Sequence, residues 1–100
     1  MKHSLIILPE AEVDLTEASD WYNMESPGLE TRFLKTMGDI FERIKVSPAQ
    51  FPIVRKNVRR AVLADFPYSV FFVTDEEGKI VFILAVLHQA RDPKTWKSRL

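Results

Sequence analysis

Apolar positions along the chain change from helical to extended spacing near its middle. Residues 3–8 form a short apolar and partly β-branched run that stops at Pro9, which predicts a first strand. Apolar residues then recur three and four positions apart through two segments, which predicts two helices. The first begins at Pro9, because proline lacks only an N–H that a first helical residue does not use, and it ends at residues 26–28. The second runs from Leu29 to Pro48.

Each predicted helix carries one apolar stripe, which we interpret as its core-facing side. The stripe of the first helix consists of Ala11, Leu15, Ala18 and Tyr22. The stripe of the second consists of Leu29, Phe33, Met37, Ile40, Phe41 and Ile44. Three acidic residues near the start of the first helix, Glu10, Glu12 and Asp14, suit the positive end of the helix dipole. Because the break between the helices is short, we expect an antiparallel helix hairpin.

The second half of the chain predicts strands. Residues 48–57 read as a loop with two prolines, and residues 58–93 as a three-strand antiparallel meander. Residues 75–78, Asp-Glu-Glu-Gly, form a good turn within it. Asp92 and Pro93 read as a cap and first residue of a short helix that reaches Leu100. The predicted fold is therefore α+β, in the order β-α-α-β-β-β, with the hairpin on a curved, mainly antiparallel four-strand sheet.

The last predicted strand is apolar on both faces. Strict alternation places Ile80, Phe82, Leu84 and Val86 on one face, and Val81, Ile83, Ala85 and Leu87 on the other. Two helices most simply cover one face of a sheet, which leaves an apolar surface on the other. We expect a partner to cover that surface, since soluble proteins rarely expose such a patch. Alternatively, the terminal helix and the 48–57 loop cover it.

Composition bounds these expectations. A length of 100 residues predicts one domain spanning residues 1–100, and the absence of cysteine excludes disulfides and thiolate metal sites. No apolar run approaches the ~20 residues that cross a bilayer, so we expect a cytoplasmic protein with no membrane contact. Net charge is zero, but residues 1–50 hold five basic and nine acidic side chains, while residues 51–100 hold nine basic and five acidic ones.

The polar residues with candidate chemistry lie around the ends of the meander. There is no glycine-rich phosphate loop, no metal-ligand spacing and no nucleophile elbow, so we expect neither metal nor cofactor. His88 follows the last apolar run and suits acid–base work, although a histidine at a strand end is more often structural. Arg59 and Arg60 point to opposite faces of one strand, where each either pairs with an acid such as Asp65 or binds phosphate or carboxylate. Tyr68 fits a core ring with its hydroxyl at the rim.

The C-terminal residues offer partner-binding side chains. Trp96 lies among Lys94, Lys97 and Arg99, and tryptophan and arginine dominate interface hot spots. Both tryptophans, Trp21 and Trp96, are nevertheless predicted to pack, and partner anchoring is the alternative for Trp96.

The order of these residues resembles the RelE/ParE superfamily of bacterial toxins, in particular its ParE-like, plasmid-stabilisation branch. The resemblance covers nearly the whole chain. It is carried by Ala11, Asp14-Leu15, Trp21-Tyr22, Pro27-Gly28-Leu29, Arg32-Phe33, Pro48 with Phe51-Pro52, Arg59-Arg60, Phe66-Pro67-Tyr68, Val70, Phe72, and His88 with Arg91-Asp92-Pro93, Trp96 and Arg99. It implies a toxin of a type II toxin-antitoxin pair, whose ParD-like antitoxin wraps it and forms a hetero-oligomer with it.

The resemblance implies two activities of different classes. ParE toxins inhibit DNA gyrase by protein–protein binding, for which Arg59, Arg60, His88, Arg91, Trp96 and Arg99 are the candidate contacts. RelE toxins are ribosome-dependent mRNA endonucleases, for which the candidates are His88 as base or acid, Arg60 and Arg91 as phosphate clamps and Tyr68 as a stacking or proton-donating residue.

Charge favours the first activity. A nuclease docked on the ribosome binds among phosphates, and such binding is mainly cationic. A chain of zero net charge with acidic helices suits gyrase inhibition better, with no sequence-specific contact to nucleic acid. A third reading is a retuned member that binds its antitoxin and nothing else.

Overall fold

The computed structural model describes residues 3–99, which form one mixed sheet, a helix hairpin and a short C-terminal helix. The strands are β1 (Ser4–Ile7), β2 (Ile53–Arg55), β3 (Val58–Val62), β4 (Tyr68–Thr74) and β5 (Ile80–His88). The helices are α1 (Pro9–Glu25), α2 (Leu29–Val46) and α3 (Lys94–Lys97), with a 3-10 turn at Pro48–Gln50. The sheet order is β1-β5-β4-β3-β2, with β1 parallel to β5 and the other neighbours antiparallel.

The predicted α+β class and helix hairpin are confirmed, but the sheet has five strands rather than four. The additional strand is β2, which lies in the segment predicted to be a loop and pairs with β3. It is only three residues long, all of them exposed, so it shows no alternation of buried and exposed positions. Its hairpin turn begins with Lys56, which adopts a left-handed φ of 51°. Lysine is not a typical residue for that conformation, so the turn had no recognisable sequence pattern.

The boundaries of the helix hairpin follow the residues that predicted them. Pro9 occupies the first turn of α1, and the preceding Leu8 makes no side-chain cap. Gly28 caps α2 with a φ of 84°, a left-handed conformation that glycine adopts without strain. Ser19 of α1 donates its hydroxyl to Glu30 Oε1 of α2 at 2.7 Å, which ties the two helices together. The buried apolar residues of both helices pack in one core with residues of the sheet.

The main core lies between the hairpin and the sheet and is rich in aromatic rings. The Tyr22 ring lies 5.0 Å from that of Phe33 and 5.1 Å from that of Phe66, centroid to centroid. The Tyr68 ring lies 5.4 Å from Phe33. These edge and tilted contacts add to the burial of each ring. The first residue of β4 is thus anchored in the core by one side of its ring.

The predicted turn at 75–78 joins β4 to β5. Asp75 Oδ1 accepts the backbone N–H groups of Lys79 at 2.7 Å and Ile80 at 3.1 Å. These bonds stabilise the carboxylate and lower the pKa of Asp75. Gly78 has a φ of 69°, the left-handed position predicted for it. The turn therefore fixes where β5 begins.

A bulge in β5 breaks the alternation predicted for this strand. Phe71 pairs with Ala85 whereas Phe72 pairs with Ile83, so Leu84 is an extra residue. As a result Leu84 and Ala85 both pack with the face opposite the helix hairpin, and Val86 packs with the helix side. The prediction that Leu84 and Val86 share a face, with Ala85 on the other, is wrong for this reason.

The face opposite the hairpin is partly covered by the chain itself. Trp96 of α3 stacks on Phe71 with ring centroids 4.8 Å apart and an interplanar angle of 15°. It closes a second small core, which consists of Val58, Phe71, Leu84, Ala85, Leu87 and Trp96. The expectation of a bare apolar face is therefore wrong at this second core, although Ile6 and Val62 on the same face remain 44% and 49% exposed. The alternative is half correct, because the terminal helix covers part of the face while Phe51 of the 48–57 segment packs on the hairpin side.

The two tryptophans differ. Trp96 packs as predicted and is 7% exposed, whereas Trp21 on α1 is 54% exposed and lies outside the core. Trp21 makes an edge contact with the neighbouring Tyr22 ring at 5.2 Å. Helix α3 begins at Lys94, one residue later than predicted, and Asp92 Oδ1 accepts the Lys94 N–H at 2.9 Å. It ends at Lys97, and the predicted end at Leu100 lies outside the described residues.

Candidate functional site

One end of the sheet gathers most of the predicted site residues. At this end Tyr68, the first residue of β4, pairs directly with His88, the last residue of β5. Their rings are nearly perpendicular, with centroids 5.3 Å apart. The next residue, Gln89, donates its backbone N–H to the Pro67 carbonyl at 2.8 Å, which extends the pairing by one bond. The imidazole is thus held at the end of an interior strand, although it is exposed.

The first concavity at this end has a volume of about 110 Å³ and is named here the arginine cleft. Its lining combines two cationic side chains with an aromatic floor, and it consists of Arg60, Ser69, Phe71, Leu87, His88, Gln89, Arg91, Pro93 and Trp96. Arg60 and Arg91 are both exposed, and within residues 3–99 neither forms an ion pair. An exposed guanidinium without an acid partner can bind a carboxylate or phosphate with two parallel hydrogen bonds.

The second concavity, named here the aromatic cleft, lies on the helix side of His88. It is lined by Trp21, Tyr22, Pro67, Tyr68 and His88. Burial raises the pKa of Tyr68, and it also raises the pKa of Tyr22, where the neighbouring Tyr68 adds a smaller contribution. Both phenols are therefore neutral and act as hydrogen-bonding groups at physiological pH.

His88 is oriented by its own backbone turn. The Ala90 N–H donates to His88 Nδ1 at 3.0 Å. Because Nδ1 accepts this bond, the proton of the neutral ring resides on Nε2. In this arrangement the imidazole offers an N–H donor to a partner in the cleft. To act as a general base, it would first have to give up the bond from Ala90.

Two of the predicted site residues are used by the fold instead. Arg59 donates Nη1 to the Phe51 carbonyl at 2.6 Å and to the Ala49 carbonyl at 3.4 Å. It therefore holds the 48–57 segment against β3, and it does not pair with Asp65, as one interpretation of the sequence suggested. Arg99 is also engaged within the fold, at the far end of the C-terminal segment.

Arg99 forms a buried ion pair with Asp14, a residue that sequence reasoning did not single out as a site residue. Arg99 Nη1 lies 2.5 Å from Asp14 Oδ2, and Nη2 lies 3.1 Å from Oδ1, which makes the pair bidentate. The side chains are 14% and 8% exposed. Hydrogen bonding to Asp14 raises the pKa of Arg99 against the opposing effect of burial. Glu10 adds a contact at 3.1 Å from Arg99 Nε.

The same pair occupies backbone groups of β5. Asp14 Oδ2 accepts the Val86 N–H at 3.0 Å, and Arg99 Nη1 donates to the Leu84 carbonyl at 3.1 Å. These two backbone groups lie on the side of β5 that faces β1, beyond Ile83, the last residue of β5 that pairs with β1. A sequence clue existed, because Asp14 lies three residues after Ala11 and four before Ala18, within the buried stripe of α1. An acid in that position requires a partner.

Between residues 3 and 99 no group of three or more His, Asp or Glu side chains converges as metal ligands would. None of the helices in this range is long and apolar enough to cross a membrane.

The fold occurs in solved toxin-antitoxin structures. A chromosomal ParDE system from P. aeruginosa superposes with a TM-score of 0.74 at 22% identity, covering 87% of this chain and 96% of that one. The RelBE2 complex from Mycobacterium tuberculosis gives 0.59 at 18% identity, covering 88% and 99%. The archaeal RelE–RelB complex from Pyrococcus horikoshii OT3 gives 0.50 at 18% identity, covering 92% and 100%. No functionally curated protein matches the sequence.

The chain thus has a fold that also occurs in solved toxin-antitoxin structures. Within this class the sequence matches the family model of the ParE toxin of type II toxin-antitoxin systems, parDE, over residues 5–93. The chain belongs to the ParE toxin family. The resemblance to ParE toxins found in the sequence is therefore confirmed.

Proposed function

We propose that this ParE-type toxin inhibits DNA gyrase by protein–protein binding through the end of the sheet that carries the arginine cleft. One observation carries the proposal: residues 5–93 match the model of the ParE toxin family. Resemblance to this family implies DNA gyrase as the target. Under this proposal Arg60 and Arg91 bind acidic groups of the target, and the His88 Nε2–H donates a hydrogen bond.

The geometry at His88 favours binding over RNA cleavage. Cleavage needs a base to activate a 2′-hydroxyl, and the accepting nitrogen of the neutral ring, Nδ1, already receives the Ala90 N–H. Charge supports the same choice. Helix α1 carries acidic residues at both ends and no lysine or arginine, which does not suit docking among ribosomal phosphates.

The RelE-type activity remains the second candidate, because one arrangement favours it. Tyr68 lies against His88, and Arg60 and Arg91 share the cleft that His88 also lines. The imidazole thus lies between an aromatic ring in the aromatic cleft and two cations in the arginine cleft, the kinds of group that the endonuclease alternative uses. In that case His88 would act as acid through Nε2–H, or as base after its turn opens.

We propose that the cognate antitoxin covers the outer side of the helix hairpin and forms a hetero-oligomer with the toxin. The structural relatives are themselves named as toxin-antitoxin complexes. Apolar side chains are exposed on both helices of this chain: Val13, Trp21 and Met24 on α1, and Leu34 and Val46 on α2. Such a patch supports a partner surface. Both the toxin and its target would then act in the cytoplasm.

The test is a gyrase supercoiling reaction titrated with the purified chain, freed of antitoxin. We expect inhibition together with accumulation of cleaved plasmid, and reversal on addition of the antitoxin. A parallel reaction contains translating ribosomes and mRNA, with wild type and His88→Gln. No effect on gyrase well above equimolar toxin, with mRNA cleavage that His88→Gln abolishes, would overturn the proposal in favour of the endonuclease. Inactivity in both reactions, from a folded chain that still binds its antitoxin, would overturn both and leave the antitoxin-binding role.

A further inference from the structure

We propose that Asp14 and Arg99 are positioning residues for target binding, and that they clamp the C-terminal segment, residues 89–99, into the shape that builds the arginine cleft. The proposal rests on the proposed function for its target. Its structural part, the clamp itself, is independent of which target the toxin has.

The C-terminal segment has little capacity to hold its own shape. Helix α3 has four residues, far below the length at which an isolated helix is stable in water. The backbone bonds within the segment are local, from Thr95 N–H to the Asp92 carbonyl at 3.0 Å and from Arg99 N–H to the Trp96 carbonyl at 3.1 Å. Gln89 at the start of the segment donates its N–H to the Pro67 carbonyl, and beyond this bond the position of the segment on the sheet comes from side chains.

Two side chains provide that attachment. Trp96 stacks on Phe71 over the face opposite the hairpin, and Arg99 reaches around the β1 side of β5 to Asp14 on α1. The stacking of Trp96 on Phe71 keeps the segment against the sheet, but it fixes neither the direction of the segment nor the position of its end. The bidentate ion pair fixes both, because a fork-shaped donor on a carboxylate admits a narrow range of orientations.

The clamp bears on the arginine cleft because the same segment supplies the cleft's wall. Arg91, Pro93 and Trp96 line one side of the cleft, while Arg60 and Phe71 line the other from β3 and β4. Only the sheet side is fixed by strand pairing. If the segment end is released, Arg91 loses its fixed position opposite Arg60. A target that binds both arginines must then order the segment on binding, and this loss of conformational entropy weakens the affinity.

Asp14 also connects the clamp to β5. Its Oδ2 accepts both the Val86 N–H and the Arg99 guanidinium, so the residue joins α1, β5 and the segment end. Asp14→Asn can retain the bond from Val86 through its amide oxygen, while it removes the charge of the bidentate pair and leaves Arg99 with Glu10 as its remaining acid partner. This variant therefore separates the clamp from the support of β5, and it complements Arg99→Gln.

The experiment compares wild type, Asp14→Asn, Arg99→Gln, Arg99→Lys and the matched control Lys94→Gln, which removes a cation from the same segment without touching Asp14. Hydrogen exchange is followed for residues 89–99 and for the strands. In Asp14→Asn and Arg99→Gln we expect exchange in the segment to rise roughly 10- to 100-fold, the range set by a charged hydrogen bond, with the strands still protected. Arg99→Lys should recover part of the protection, and Lys94→Gln should match wild type.

The same proteins are then titrated into the gyrase reaction. We expect Asp14→Asn and Arg99→Gln to need more protein for half inhibition, by about tenfold, while the amount of cleaved plasmid at saturation is unchanged, since binding rather than the bound state is affected. Unchanged segment exchange in both variants would overturn the clamp. Raised exchange with unchanged inhibition would overturn its positioning role. If wild type itself does not inhibit gyrase, the proposed function fails, and the exchange data still decide whether the clamp exists.

Discussion

Arg99 and Asp14, separated by 85 positions in the sequence, form the bidentate ion pair that closes the fold. The pair lies where β1 no longer shields β5, and it takes over hydrogen bonds that a longer β1 would have made to Leu84 and Val86. A buried pair of this kind is strongly destabilising to break from one side, because the remaining charge stays desolvated.

We predict a large coupling energy between these two residues. Asp14→Ala alone should lower the free energy of unfolding by roughly 3–5 kcal/mol, as removal of one partner of a buried pair does. The double variant Asp14→Ala/Arg99→Ala should be more stable than the sum of the single changes predicts, with a coupling of about 1–3 kcal/mol. Urea denaturation followed by far-UV circular dichroism gives all four values. The exposed pair Lys35–Asp39, at 3.9 Å, serves as control and should show no measurable coupling.

A second prediction concerns Trp96. Because its ring is 7% exposed and stacked on Phe71, Trp96→Ala should cost roughly 3–5 kcal/mol of unfolding free energy. Trp96→Phe keeps a ring on Phe71 and should cost clearly less. Thermal denaturation of the three proteins tests this order. If Trp96→Ala were as stable as wild type, the second core would contribute nothing, and the partner-anchor interpretation of this tryptophan would return.

A third prediction separates binding from stability at Arg91. The side chain is exposed and forms no ion pair within residues 3–99, so Arg91→Ala should change the free energy of unfolding by no more than about 0.5 kcal/mol. Inhibition of gyrase should nevertheless weaken by about tenfold or more, as the loss of a hot-spot arginine does. Arg32→Ala, which removes an exposed arginine from α2, is the matched control. Equal inhibition by both variants would remove Arg91 from the target surface.

A fourth prediction concerns alkaline stability. The pKa values of Tyr22 and Tyr68 are raised in the folded protein, chiefly because burial disfavours the phenolate. An unfolded tyrosine titrates near pH 10, so the stability due to the neutral phenols is fully present below about pH 10 and is lost as pH rises through the higher folded values.

The absorbance of the phenolate tests this directly. The chain contains two tyrosines, so Tyr68→Phe leaves Tyr22 and Tyr22→Phe leaves Tyr68 as the sole reporter. Each should titrate above pH 10 in the folded protein and near pH 10 in urea. A folded-state midpoint at or below pH 10 for Tyr22 would contradict its burial in the aromatic core.

The sequence predicted the parts of the fold that local rules determine. Pro9, residues 26–28 and the stripe spacing defined both helices, and Asp75 with Gly78 defined the turn, since each acts through neighbours in the chain. Tertiary pairing decided β2, whose three exposed residues carry no period of their own. It also decided the bulge at Leu84. An extra residue moves the following side chains to the other face of the strand, while the sequence still shows one continuous apolar run.

The candidate site divides in the same way. The sequence indicated His88, Arg60, Arg91 and Trp96 as candidate site residues. The order of its motifs also indicated the family. It could not determine which arginines remain exposed at the cleft and which are used by the fold. Arg59 binds the Phe51 carbonyl 8 positions away, in the segment that leads into β2, which pairs with β3. Arg99 binds a carboxylate 85 positions away, which only the packing of α1 and the C-terminal segment on β5 brings within hydrogen-bond distance.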